Sequence, residues 1–155
     1  MSNPKYRLSF DIIFILTALA IIVDFILPGK IIQDNIVDVK KERQQHYNAA
    51  RKYHYTYEII TNEHRFFVAK DFVELIKNED KIEFSVSRIF KEVNWYRFDS
   101  TQNKSIYSLR ILSGLILPLL VVVFILASIL LQKDVRTLIF VVQLCLIADV
   151  MFLMM

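Results

Sequence analysis

Five side chains that could do chemistry interrupt otherwise apolar stretches: Asp11, Asp24, Arg110, Gln143 and Asp149. A charge at mid-bilayer costs from about 2.5 kcal/mol on insertion scales to far more in simulation, so such groups mark ion pairs, hydrogen bonds between helices, or paths for protons and ions. No chain of carboxylates continues between them, which favours pairing over conduction. Arg110 is expected to pair with Asp24 or Asp149 and lock neighbouring helices together, with snorkelling to the headgroups as the competing reading. Gln143 is placed for an inter-helix hydrogen bond, another subunit included among its partners. Asp11 falls near one end of its run, within reach of interfacial water. Pro118 cannot donate to the carbonyl of Gly114, which predicts a kink there, and Ser113 and Gly114 are small enough to admit a neighbouring helix.

Soluble chemistry has less to work with. His46, His54 and His64 show no i,i+4 ligand spacing. Ser85 and Ser87 flank Val86 without a nucleophile elbow. Gly29 precedes the central segment, which leaves that segment no glycine for a phosphate loop. The single cysteine, Cys145, permits neither an intramolecular disulfide nor a CxxC metal site. No catalytic residue, metal or cofactor is therefore expected, and the chain is not read as an enzyme.

The elements that must position these residues follow from a sharp division of charge. Of 19 Lys and Arg, 15 fall between Lys30 and Arg110, as do 12 of 16 Asp and Glu, so the centre carries only three excess positive charges. Spread along the segment, that excess does not make a nucleic-acid patch. Apolar runs occupy Leu8 to Leu27, Ile111 to Leu131 and Thr137 to Met155. A helix of about 20 residues matches a hydrocarbon core of about 30 Å. Lys5 and Arg7 ahead of Ala18-Leu19-Ala20 could form a signal peptide. Asp11 and the continuation through Ile21, Ile22 and Val23 favour a retained anchor. Lys5, Arg7, Lys133 and Arg136 share one side of a three-span arrangement, which makes that side cytoplasmic.

Between the spans the period switches to two. Tyr53, Tyr55, Tyr57 and Ile59 share one strand face, Thr61-Asn62-Glu63 supplies a turn, and the segment from His64 to Lys70 returns. The tyrosine face is expected mainly as core, with Tyr53, Tyr55, Tyr57, Trp95 and Tyr96 as candidate surface residues for a partner or the headgroups. Asp71 and Glu74 have capping-box spacing before a short helical turn. The segment from Lys81 to Ser87 alternates with Ile82, Phe84 and Val86 inward. Glu92 to Phe98 reads as a further strand of undetermined facing, and Ile36 to Val39 as an earlier one. Five short strands and one helical turn assemble most simply as a curled sheet or a small barrel of OB or SH3 type. The order of strand, hairpin, helical turn and strand resembles the extracytoplasmic β-modules of bacterial multi-pass membrane proteins, such as NfeD-like OB domains, over the middle half of the chain. The Gly-Asp turn usual there reads Glu79-Asp80, and no functional residue is carried across.

The expectation is an α+β membrane protein. Residues 1–29 hold a cytoplasmic N-terminus and the first transmembrane helix, residues 30–110 an extracytoplasmic β-rich module, and residues 111–155 a transmembrane hairpin. AT-rich residue usage points to a bacterial plasma membrane. The function read from these features is a non-catalytic accessory or assembly subunit. Its helices would dock on a larger integral membrane protein or on copies of itself, and its module would meet an extracytoplasmic protein. The alternatives are a channel or transport component lined by intramembrane Asp and Gln, and an immunity-type protein that neutralises a toxin at the membrane.

Overall fold

The computed structural model describes residues 4–45, 53–76, 81–98, 103–131 and 136–154. The chain is α+β and divides into two compact units, a helical one (Met1–Pro28, Ser87–Glu92 and Leu109–Met155) and a β-rich one (Gly29–Val86 and Val93–Ser108).

The β-rich unit is a curled antiparallel sheet of β1 (Lys30–Gln45), β2 (Tyr53–Thr61), β3 (Arg65–Val68), β4 (Lys81–Val86) and β5 (Val93–Phe98), in the order β3-β2-β1-β4-β5. It is a half-barrel, with β3 and β5 as its edges. The long strand β1 serves both halves: Lys30 to Asn35 pair with β4, and Ile36 to Gln45 pair with β2. A register shift between Ile36 and Asp38 leaves Val37 as the extra residue, which reverses the facing of everything beyond it. Ile32 and Ile36 before the shift and Val39 after it therefore pack against one core, while Val37 is exposed.

The turn from β2 to β3 forms as its residues require. The Thr61 N–H donates to the His64 carbonyl at 2.9 Å, and the Asp34 carboxylate accepts the Asn62 backbone N–H at 3.1 Å and its Nδ2 at 2.8 Å. Ile59 pairs with Phe66, which puts Tyr57 opposite Val68. Tyr57, Ile59, Phe66, Val68, Phe72, Ile82, Phe84, Val86, Tyr96 and Phe98 form the core. Aromatic rings do much of the filling. Phe72 stacks on Phe98 at 4.1 Å between centroids, and Phe66 contacts both Phe84 and Tyr96. Such pairs add about 0.5–1.5 kcal/mol beyond their buried area.

Helix α2 (Lys70–Leu75) starts at Ala69, which has no capping side chain of its own. The expected capping box is therefore not made at Asp71, which lies inside the first turn. The hydroxyl of Tyr96 instead accepts the Ala69 N–H at 3.0 Å, so a strand residue distant in sequence holds the helix entry.

The helical unit contains α1 (Pro4–Ile26), α3 (Ser108–Ile111), a π-helical stretch (Leu112–Ile116), α4 (Leu117–Leu131) and α5 (Arg136–Leu153). Among the described residues, two helices are long and apolar enough to cross a membrane, Leu8–Ile26 and Ser108–Leu130; the apolar part of α5, Thr137–Leu153, is shorter. α4 packs against both α1 and α5, which touch each other little. Ala18, Ile21, Val121, Ile125, Ile139, Leu146 and Leu153 fill the space between them.

Candidate functional site

The site is built on Asp24, three residues from the end of α1 by inclusive count and 3% exposed. Its Oδ1 accepts the Ile89 N–H at 2.8 Å, and its Oδ2 lies 3.4 Å from the donating Phe90 N–H. Arg110, in α3, brings Nη2 to 3.8 Å from Asp24 Oδ2, with the two side chains 4% and 1% exposed. Glu92 and Asp149 complete the electrostatic surroundings of the same guanidinium. Three carboxylates thus act electrostatically on one arginine. The Arg110 guanidinium also lies 5.5 Å from the Phe25 ring centroid, within range of a cation–π contact.

The loop that supplies the two N–H donors is tightly made. Ser87 N–H donates to the Glu92 carbonyl at 2.8 Å, and Glu92 N–H donates to Ser87 Oγ at 3.1 Å. Lys91 holds a positive φ of 63°, a left-handed conformation that costs a residue with a Cβ about 1–2 kcal/mol. Phe90 packs against the helical core.

Burial holds the Glu92 carboxyl above the usual carboxylate range, against the pull of Arg110. A raised acid destabilises the fold when ionised, and this penalty disappears as pH falls below the unfolded value of about 4.3. Glu92→Gln should therefore raise the melting temperature at neutral and higher pH. The gain over wild type should shrink to nothing towards pH 4, and melts recorded across that range check it.

Of the residues expected to pack helices, Ser113 and Gly114 are buried within the π-helical stretch, and Pro118 is fully buried just beyond it. The N–H of Leu117 reaches the Leu112 carbonyl in the wide π pattern. The irregularity foreseen at Pro118 thus takes the form of a widened turn on its N-terminal side. A Cβ on Gly114 would lie 2.5 Å from Phe25 Cδ2 and 3.1 Å from its Cβ. Glycine is what lets this helix approach α1 at that level.

Gln143 finds its partner within the chain. Its Nε2 donates to Asp11 Oδ1 at 3.0 Å, tying α5 to α1. Interhelical hydrogen bonds of this kind contribute about 0.5–2 kcal/mol. Gln143→Leu should lower stability in detergent by that amount, and Asp11→Asn, which keeps the acceptor, should lower it less; thermal melts of both variants check the pairing. Asp11 and Asp24 are 13 residues apart, or about 20 Å along a helix axis. Buried Ala18 and Ile21 separate them on α1, as does Leu146 on α5. A shallow apolar groove between α1 and α5, lined by Ile13, Phe14, Thr17, Leu146 and Val150, runs beside this segment.

The aromatic surface candidates divide. Tyr57 and Tyr96 are core residues, 8% and 1% exposed, because strand alternation turns them inward with Ile59 and Phe98. Tyr57 thus follows the core expectation for its strand face, while Tyr96 leaves the set of surface candidates. Tyr55 is exposed and carries Lys41 Nζ 4.1 Å from its ring centroid. Trp95 is half-buried, with Lys104 Nζ at 4.2 Å and the Arg97 guanidinium at 5.8 Å from its ring. Tyr53 lies on β2 opposite Gln45; its side chain lies outside the described residues, as does all of His46.

Two contributors escaped the sequence reading. Glu92 sits in a polar segment where a carboxylate is unremarkable, and only the folding back of its loop brings it to Arg110. The Ile89 and Phe90 N–H groups are backbone donors with no sequence signature beyond the apolar pair between Arg88 and Lys91. No family model matches the chain, and neither the curated proteins nor the solved structures contain a match to it.

Proposed function

We propose that this chain is a three-span integral membrane protein that works as a non-catalytic docking subunit. Its N-terminus would be cytoplasmic and its β-module extracytoplasmic. The observation that carries this reading is the inverted polarity of the helical unit. Asp11, Asp24, Arg110, Ser113, Ser128 and Asp149 are buried, whereas Phe10, Ile13, Leu16, Leu119, Val123 and Leu130 are exposed. Water would solvate the opposite arrangement; lipid solvates this one. The Gln143–Asp11 bond and the groove that Phe14 lines together with Leu146 and Val150 fit parallel α1 and α5, the directions that three successive spans require.

Docking is favoured over transport because the two carboxylates of α1 are already engaged within the chain. Asp24 is taken up by two backbone donors and Arg110, and Asp11 by Gln143. Apolar residues fill the about 20 Å between these two polar levels. The partner-facing surfaces are then the apolar groove along α1 and α5, with the exposed Tyr55 and the half-buried Trp95 on the module. Purification at native expression level in mild detergent tests the role. A stoichiometric integral membrane companion, or a defined oligomer of this chain, is expected. A lone monomer contradicts it.

A further inference from the structure

The loop Ser87–Glu92 belongs to the helical unit, and its two apolar residues are used differently. Phe90 packs inward against the helices, while Ile89 remains 61% exposed. The Ile89 N–H bonds to Asp24, which precedes the last residue of α1, Ile26, by only two positions. The loop backbone is thus level with the final turn of the span. Ile26, Leu109 and Leu112 expose apolar surface in the same helical unit, near that end of their helices. Arg88 and Lys91 bracket the apolar pair, and both are exposed. Lys91 occupies a backbone conformation that glycine would adopt more readily. A basic side chain stands where local geometry alone would favour none.

We propose that this loop is an interfacial lipid anchor, in which Ile89 enters the boundary between headgroups and acyl chains while Arg88 and Lys91 hold the phosphates of anionic lipids. The inference rests on the membrane reading above. An apolar residue flanked by cations is suited to that boundary. The hydrocarbon takes the branched side chain, and guanidinium and ammonium donors make charge-assisted bonds to phosphate oxygens. The clamp on Asp24 holds the loop backbone level with the end of the span, and the pull of anionic lipid on Arg88 and Lys91 sets how far the side chain at 89 settles into the boundary.

The test uses Ile89→Cys in a Cys145→Ser background, labelled with an environment-sensitive fluorophore and reconstituted into phosphatidylcholine vesicles with or without phosphatidylglycerol. Nitroxide lipids quenching at the headgroup boundary should act at least about twofold more strongly with about 30 mol% anionic lipid present, and salt near 0.5 M should remove the difference. Arg88→Glu with Lys91→Glu should abolish it as well. A control label at Val123 separates the two ways of failing. If Val123 is quenched by acyl-chain nitroxides and Ile89 emits as in water, the anchor is wrong and the membrane reading stands. If neither is quenched, both are wrong. A blue-shifted Ile89 label that no nitroxide lipid quenches means protein contact, and also overturns the anchor.

Discussion

Arg110→Ala should destabilise the helical unit by about 3–5 kcal/mol, the range found when one member of a buried ion pair is removed. The size follows from what is left behind. Asp24 stays 3% exposed and Asp149 7% exposed, with Glu92 close by and no guanidinium among them. Asp24 keeps its two backbone donors, but the remaining like charges must be neutralised or hydrated. Arg110→Lys should recover only part of the loss, because an ammonium is a shorter point donor without the planar fork. The double variant Arg110→Met with Asp24→Asn should be closer to wild type than the sum of the single variants. A double-mutant cycle on thermal stability in detergent measures that coupling. Additive losses would mean that the two side chains do not act as a pair.

The second large effect is expected at Gly29→Ala. A Cβ there would overlap the Val86 carbonyl oxygen and lie 2.7 Å from both Ser85 Oγ and the Val86 carbonyl carbon. Val86 is paired with Lys30 on one side and Val93 on the other, so its backbone cannot retreat without opening the ladder. Overpacking against backbone belongs at the upper end of the usual penalty, about 3 kcal/mol. For a module of this size that is a fall of roughly 10–20 °C in melting temperature, read from Trp95 fluorescence. Gly114→Ala should be milder, because the group it meets is the side chain of Phe25, which can partly turn aside. Equal stability of Gly29→Ala and wild type would mean that β1 and β4 do not approach as closely as described.

The chain's two glycines therefore serve close approach, one between strands and one between helices. That role was legible at Gly114, where small residues beside Pro118 inside an apolar run point to helix packing. At Gly29 the sequence suggests only a helix stop, since the neighbour that demands glycine, Val86, is far along the chain. The same contrast runs through the fold. Arg110 stands out because ionisable residues are rare in apolar runs, and a pairing with Asp24 or Asp149 could be named in advance. The length of β1 could not. Its second half, Lys40 to Gln45, is polar on both faces, and the extra residue at Val37 breaks the period-two pattern at the point where the strand changes partner. The tyrosine stripe was read as one face, which is correct for Tyr57 and Ile59. It does not make Tyr55 a core residue, because burial falls away towards the start of β2. The helix entry at Ala69 depends on Tyr96, a tertiary bond that local capping rules do not contain.

The claim on which the rest depends is that lipid surrounds the helical unit and water the β-rich one. Its most direct test is thiol labelling of intact cells with a membrane-impermeant maleimide, in a Cys145→Ser background with single cysteines at Val37 and Leu119. Both positions are more than half exposed, at 62% and 51%. Val37→Cys is expected to be labelled from outside at once, and Leu119→Cys to stay unlabelled until detergent is added. Labelling of Leu119→Cys in intact membranes, or recovery of the protein in the soluble fraction, would contradict it.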